Sequence, residues 1–243
     1  GFNSPWIGPS TRRAVRALMD GADPRTTGHH GTTNGSSMRV GPVGFLGAPD
    51  INRTVEMAVI SAYPTHASMT GTSGAAAIAC AVAACVKPGA ILEDVVRASM
   101  TGADLGAQAG VNVDMSPSIA RRIEWAVDLI SDDRGDDAHL QDIYDYIGTS
   151  MMTHETVPAA IAYFVMAKGD PLRAIKLATW GAGDCDTLAA IAGSVCGAWS
   201  GVEALPKPML AQLDEANHIN MEQIAHDYYA AVLKINPALA AYA

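Results

Sequence analysis

The chain has 243 residues and a formal net charge of −9; 49% of its residues are hydrophobic and only 6% are aromatic. The acidic balance excludes a general affinity for nucleic-acid phosphates, and the alanine-rich, aromatic-poor composition favours close-packed helices over a strand sandwich. Its longest apolar run, residues 75–86, is too short to span a bilayer. With no signal-like opening and no membrane partner in view, the cytoplasm is the expected location.

In chain order, almost every periodic segment reads helical. "GFNSPW" opens the chain without methionine, so residue 1 is not expected to be the native start. "STRRAVRALMDG" has Ser10 or Thr11 as cap, Val15, Leu18 and Met19 on one face, and Gly21 as stop. "GTSGAAAIACAVAACVKPG" is apolar all round, as a helix at the centre of a bundle would be. "SPSIARRIEWAVDLISDD" offers Ser116 as cap and Pro117 in the first turn, then Ile119, Ile123, Ala126 and Ile130 at helical spacing. Residues 131–137, "SDDRGDD", read as an acidic, solvated loop. "DPLRAIKLATWG" repeats the cap-and-proline device with Asp170 and Pro171, and "INMEQIAHDYYAAVLKIN" is an amphipathic closing helix. No sustained alternation, repeat or linker divides the chain. The expectation is one all-α domain over residues 1–243, a compact multi-helix bundle.

The four cysteines, Cys80, Cys85, Cys185 and Cys196, form no CxxC pair and no zinc spacing, and read as free thiols in a reducing compartment. His29-His30 has no carboxylate or thiol at ligand spacing and is not read as a zinc site.

Three clusters carry chemistry. In "WGAGDCDTLAAIAGSVCGAW", glycines make a tight turn that places Asp184 near a helix N-cap, with Asp186 and Thr187 in the first turn. Two readings are open there. Acids at a helix start cap it and suit its dipole; equally, two carboxylates and a hydroxyl form an all-oxygen ligand set for a hard divalent cation. In "THASMTGTSGAAA", His66 stands between a polar turn and the greasy helix, as a packing residue or a ligand contact. In "GHHGTTNGSSMRVGPVG", Gly31, Thr32, Asn34, Gly35 and Ser36 offer amides and short polar side chains that suit phosphate or ribose, or an ordinary loop.

In this order the clusters resemble the ADP-ribosylglycohydrolase family, which includes dinitrogenase reductase-activating glycohydrolase-like proteins. Asn34, Gly35, Met38, Arg39 and Pro42 match its Asn-Gly-x-x-Met-Arg-x-x-Pro stretch; Thr65 and His66 match its Thr-His; and residues 182–187 match its Gly-Gly-Asp-Thr-Asp-Thr, with Ala182 and Cys185 as departures and Gly197-Ala198 beyond. "PWIGPSTRRAV" and "HETVPAAIAYFVMAKGDPLRAIKLA" also look like family segments, and Trp180 stands where an asparagine often lies. The resemblance implies a metal-dependent hydrolase that cleaves the glycosidic bond between ADP-ribose and a protein side chain or small molecule. It implies one or two Mg²⁺ ions, or Mn²⁺, with Asp184, Asp186 and Thr187 as ligands. Gly31, Thr32, Asn34, Gly35, Ser36 and His66 would then line the ADP-ribose pocket, and no residue is singled out as the catalytic acid or base. The family's other acidic motif, Thr-Asp-Asp-Thr, and an early glutamate are expected in a segment upstream of residue 1. The alternatives are a same-fold hydrolase of another N-riboside, and a non-catalytic ADP-ribose-binding or structural member of the fold.

Overall fold

A computed structural model describes residues 7–242; the first two residues of the "PWIGPSTRRAV" match lie outside that range. The chain runs through α1 (Pro9–Met19), α2 (Gly44–Gly47), α3 (Ile51–Ala62), α4 (Met69–Cys85), α5 (Leu92–Gln108), α6 (Ile119–Leu129) and α7 (Asp136–Asp142). It continues through α8 (Thr153–Met166), α9 (Pro171–Trp180), α10 (Cys185–Ser200), α11 (Lys207–Asn217) and α12 (Met221–Ile235). A π turn, Ile143–Ile147, follows α7. Among the described residues the only β pairings outside named strands are isolated bridges, Thr33 with Met152 and Ser68 with Asn112. The all-helical expectation holds.

Helix starts show where local chemistry prevails and where it does not. Asp170 accepts from the Arg173 amide at 2.8 Å and Pro171 follows it in the first turn. At α12 Asn220 caps through the Gln223 amide at 2.9 Å. Two expected caps are displaced. α1 begins at Pro9 after Gly8, with no side-chain cap from Ser10 or Thr11, because proline at the first position already lacks the orphan N–H. α6 is capped by Ser118, through the Arg121 amide at 3.3 Å. Ser116 instead lies 2.9 Å from His154 Nδ1, so a tertiary partner outcompetes the local one. On α1 the buried residue is Ala14, and Met19 is exposed. The acidic loop is shorter than expected, since α7 starts at Asp136.

α4 is the axis of the protein. Fifteen of its 17 residues are buried, and α5, α3, α8 and α10 pack around it. Alanine side chains contribute little area each, but they let helices approach closely and bury backbone and neighbours together. α10 lies against α9, α8 and α4, with Leu188, Ile191, Ala192, Val195 and Cys196 fully buried. The C-terminal pair contrasts with this: α11 buries no residue and α12 only Val232. All four cysteines are free. Among the described residues, no helix is long and apolar enough to cross a membrane.

What this arrangement positions is a loop. Residues 31–34 are pinned by the starts of three helices, two through backbone carbonyls and one through the Asn34 side chain. Ser68, capping α4, donates to the Gly31 carbonyl at 2.7 Å; Thr153 of α8 donates to the Thr32 carbonyl at 2.8 Å; and Asn34 donates to Asp184 ahead of α10 at 2.5 Å.

Candidate active site

The turn into α10 is a tight left-handed bend. Ala182 and Gly183 have φ of +60° and +73°. A Cβ on Gly183 would stand 2.2 Å from the Thr149 carbonyl oxygen, so glycine is required there for both conformation and space. The Asp184 amide then donates to that same carbonyl at 2.7 Å. Ala182 holds a left-handed φ with a β-carbon, a strained choice at the position where the family motif has glycine.

Asp184 occupies the N-cap position of α10 and makes no capping bond with its side chain. Its Oδ2 accepts instead from Asn34 Nδ2 at 2.5 Å. Within the first turn, Asp186 Oδ1 accepts from the Thr187 amide at 2.8 Å and so satisfies one of the helix's unpaired N–H groups. The Asp186 and Thr187 side chains stand close enough to Asp184 to act on its carboxyl. Burial pushes the Asp184 carboxyl above the ordinary carboxylate range; donation from Asn34 and Thr187 works against that, and the adjoining Asp186 carboxylate adds to it. Two acids and a buried threonine thus stand together at the start of α10. Capping accounts for Asp186 in part and for Asp184 not at all.

The loop residues divide between wall and scaffold. Gly31 is buried, its amide donating to Gly28 O at 3.0 Å. Asn34 is also buried: its amide donates to Met151 O at 3.0 Å, and its side chain spans Thr156 Oγ1 at 2.9 Å and Asp184. Ser36 is buried and donates to Gly71 O at 2.9 Å. The expectation of a loop with outward amides and hydroxyls is thus met at neither Gly31, Asn34 nor Ser36, whose donors close the fold; Thr32 and Gly35 are the partly exposed members. Arg39 ties the loop down, donating to Gly35 O at 2.8 Å and Thr65 Oγ1 at 2.8 Å.

His66 lies beneath this loop, 1% exposed. Thr65 Oγ1 is 2.7 Å from Nδ1 and Thr33 Oγ1 is 3.2 Å from Nε2. Burial, with the Arg39 and Arg13 charges nearby, lowers its pKa to about 4. At neutral pH the ring is uncharged and supports the loop from behind.

The residues that hold the acid turn were not visible as candidates in the sequence. Thr149 precedes α8, and Thr156 lies in its first turns within the "HETVPAAIAYFVMAKGDPLRAIKLA" stretch, where nothing in the sequence singled it out. Thr149 receives the Asp184 amide, and its own buried Oγ1 has no hydrogen-bond partner. Tyr163 OH, also buried and unpartnered, lies under Gly181 of the same turn. Beside the turn opens a hollow of about 350 Å³ lined by Asp137, Leu140, Gln141, Tyr144, Trp180, Gly181 and Ala182.

The donor set is all oxygen and fits Mg²⁺ or Mn²⁺ rather than zinc. Among the described residues no group of three or more His, Cys, Asp or Glu side chains gathers, so these residues would supply two carboxylates and one hydroxyl, the remaining positions falling to water, substrate or other groups. Fold and site together define an all-helical protein whose acid pair opens a core helix and is buttressed by a distant asparagine loop.

The family model for ADP-ribosylglycohydrolase matches residues 2–237, and the chain belongs to that family. It is 32% identical over 225 residues to the uncharacterized protein YegU of Escherichia coli (strain K12), covering 92% of this chain and 67% of YegU. An uncharacterized protein of Archaeoglobus fulgidus is 29% identical over 236 residues, covering 96% of this chain and 70% of its own length. Among solved structures, an ADP-ribosylglycohydrolase-related protein complex superposes with a TM-score of 0.66 at 22% identity, over 94% of this chain and 69% of that one. That likeness concerns the fold.

Proposed function

We propose that the chain is the catalytic body of a Mg²⁺- or Mn²⁺-dependent glycoside hydrolase that cleaves the bond between ADP-ribose and a protein side chain or small molecule. The observation that carries this is Asp184: a carboxylate at a helix N-cap that forgoes capping, is oriented by Asn34 and faces a second carboxylate. Family membership supports the hydrolase class.

Asp184, Asp186 and Thr187 would hold the cation, which would orient ribose hydroxyls and a water beside the anomeric carbon as it becomes oxocarbenium-like. The chain's own contributions are positional. Asn34 orients the Asp184 carboxylate from outside the ligand set, and Thr149 fixes its backbone. Second-layer bonds of this kind orient ligands and tune the site. His66 and Arg39 hold the loop at the height where Thr32 and Gly35 meet solvent. The starts of α4, α8 and α10 converge on this loop, and helix N-termini favour the phosphates of an ADP-ribosyl group.

The test is release of ADP-ribose from ADP-ribosylated peptides and small molecules, followed by chromatography with Mg²⁺, with EDTA, and in Asp186→Asn. Release that needs Mg²⁺ and falls by roughly 100-fold or more in the variant is expected. Release insensitive to EDTA, or no release from any ADP-ribosyl substrate, would refute the assignment.

A further inference from the structure

Trp180 is the last residue of α9 and is 68% exposed. Packing does not explain it. One side of its position opens on the 350 Å³ hollow described above, and a second hollow of about 310 Å³ meets it through Asp136, Asp170, Leu172, Arg173 and Lys176. An indole so placed has apolar surface left for a partner.

The first hollow has a definite chemistry. Tyr144, half exposed, adds a second aromatic ring, and Leu140 supplies a buried apolar floor. Asp137 presents a carboxylate. The Gln141 amide nitrogen donates to Asp145 at 2.9 Å, which leaves its carbonyl oxygen as the acceptor end. Both polar groups therefore ask for N–H donors, and the rings ask for a flat apolar face. At about 350 Å³ the space is at the small end of ligand pockets, enough for one ring system. The hollow also adjoins the acid turn: Gly181 and Ala182 line it, and Ala182 stands two residues before Asp184.

We propose that this hollow receives the leaving group of the hydrolysed glycoside, and that the leaving group is a heteroaromatic base bearing an exocyclic N–H donor, stacked on Trp180 and read by Asp137 and Gln141. This rests on the reading of Asp184 and Asp186 as the hydrolytic centre and narrows its substrate to an N-riboside. In the cleavage, water adds across the C1′–N bond. The hydroxyl joins C1′, the bonding pair leaves with the base nitrogen, and the water's second proton ends on the base when the riboside is neutral, or in solvent when the base leaves from a cationic pyridinium.

The probes are free adenine and nicotinamide, titrated by calorimetry into the 243-residue chain in EDTA, with butylguanidine as a non-aromatic donor control. Adenine or nicotinamide should bind the wild type, roughly tenfold more weakly in Trp180→Ala and nearly unchanged in Trp180→Phe, while butylguanidine does not compete. Equal binding to wild type and Trp180→Ala, no binding of either base, or displacement of the bases by butylguanidine would overturn the assignment. A parallel Mg²⁺ titration separates the two readings: base binding without metal binding sinks the hydrolytic centre and spares the hollow, and metal binding without base binding does the reverse.

Discussion

α9 and α10 run side by side, and each starts with an aspartate at the N-cap. Asp170, in an extended backbone conformation, takes the Arg173 amide of its own helix. Asp184, with ψ of 58°, takes none from α10 and turns to Asn34, 150 residues away in sequence. A cap of this kind contributes about 1 kcal/mol. α10 does without one from Asp184 because its interior face is fully buried against α9, α8 and α4, and tertiary burial of several aliphatic side chains outweighs one cap. What the contrast teaches is that a helix secured by packing can release its N-cap side chain for other chemistry.

The largest effect expected from testing this contrast lies beneath the loop that holds Asp184. His66 is held neutral with a pKa of about 4, against 6.5 when unperturbed. Between those values the unfolded chain binds a proton that the native chain does not. The contribution is present in full above pH 6.5, is lost as pH falls toward 4, and is flat below that, a change on the order of 3 kcal/mol. Urea midpoints for wild type and His66→Gln across pH 4 to 7.5 should converge toward the acid end. A difference between them that does not vary with pH would mean the ring is not buried neutral.

Next in size is the cap itself. Asp170→Ala should lower stability by about 1 kcal/mol, and Asp184→Asn should leave the metal-free protein no less stable than wild type, because it removes one of two facing carboxylates. Thermal melts in EDTA decide this. A loss in Asp184→Asn equal to that in Asp170→Ala would mean that the Asp184 carboxylate is stabilised where it lies rather than crowded by its neighbour.

Much of this was legible before any coordinates. Apolar periodicity and the Pro-led starts marked the helices, and an unbroken apolar run marked α4 as central. The acid pair was legible as a candidate site, yet capping and cation binding predict the same letters at the same spacing, so local pattern left the two readings open. They separate only in space, through Asn34 and Thr149, whose partnership with Asp184 spans distances no periodicity records. The same limit displaced Ser116, drawn off by His154, and turned the donors of Gly31 and Ser36 inward. The strained φ of Ala182 is likewise a property of the backbone, invisible in an alanine.

The most direct measurement is a Mg²⁺ titration by calorimetry of three proteins: wild type, Asp184→Asn and Asp170→Asn. The account predicts saturable binding by wild type and Asp170→Asn with matching affinity, and its loss in Asp184→Asn. Equal binding by all three, or none by the wild type, would contradict it.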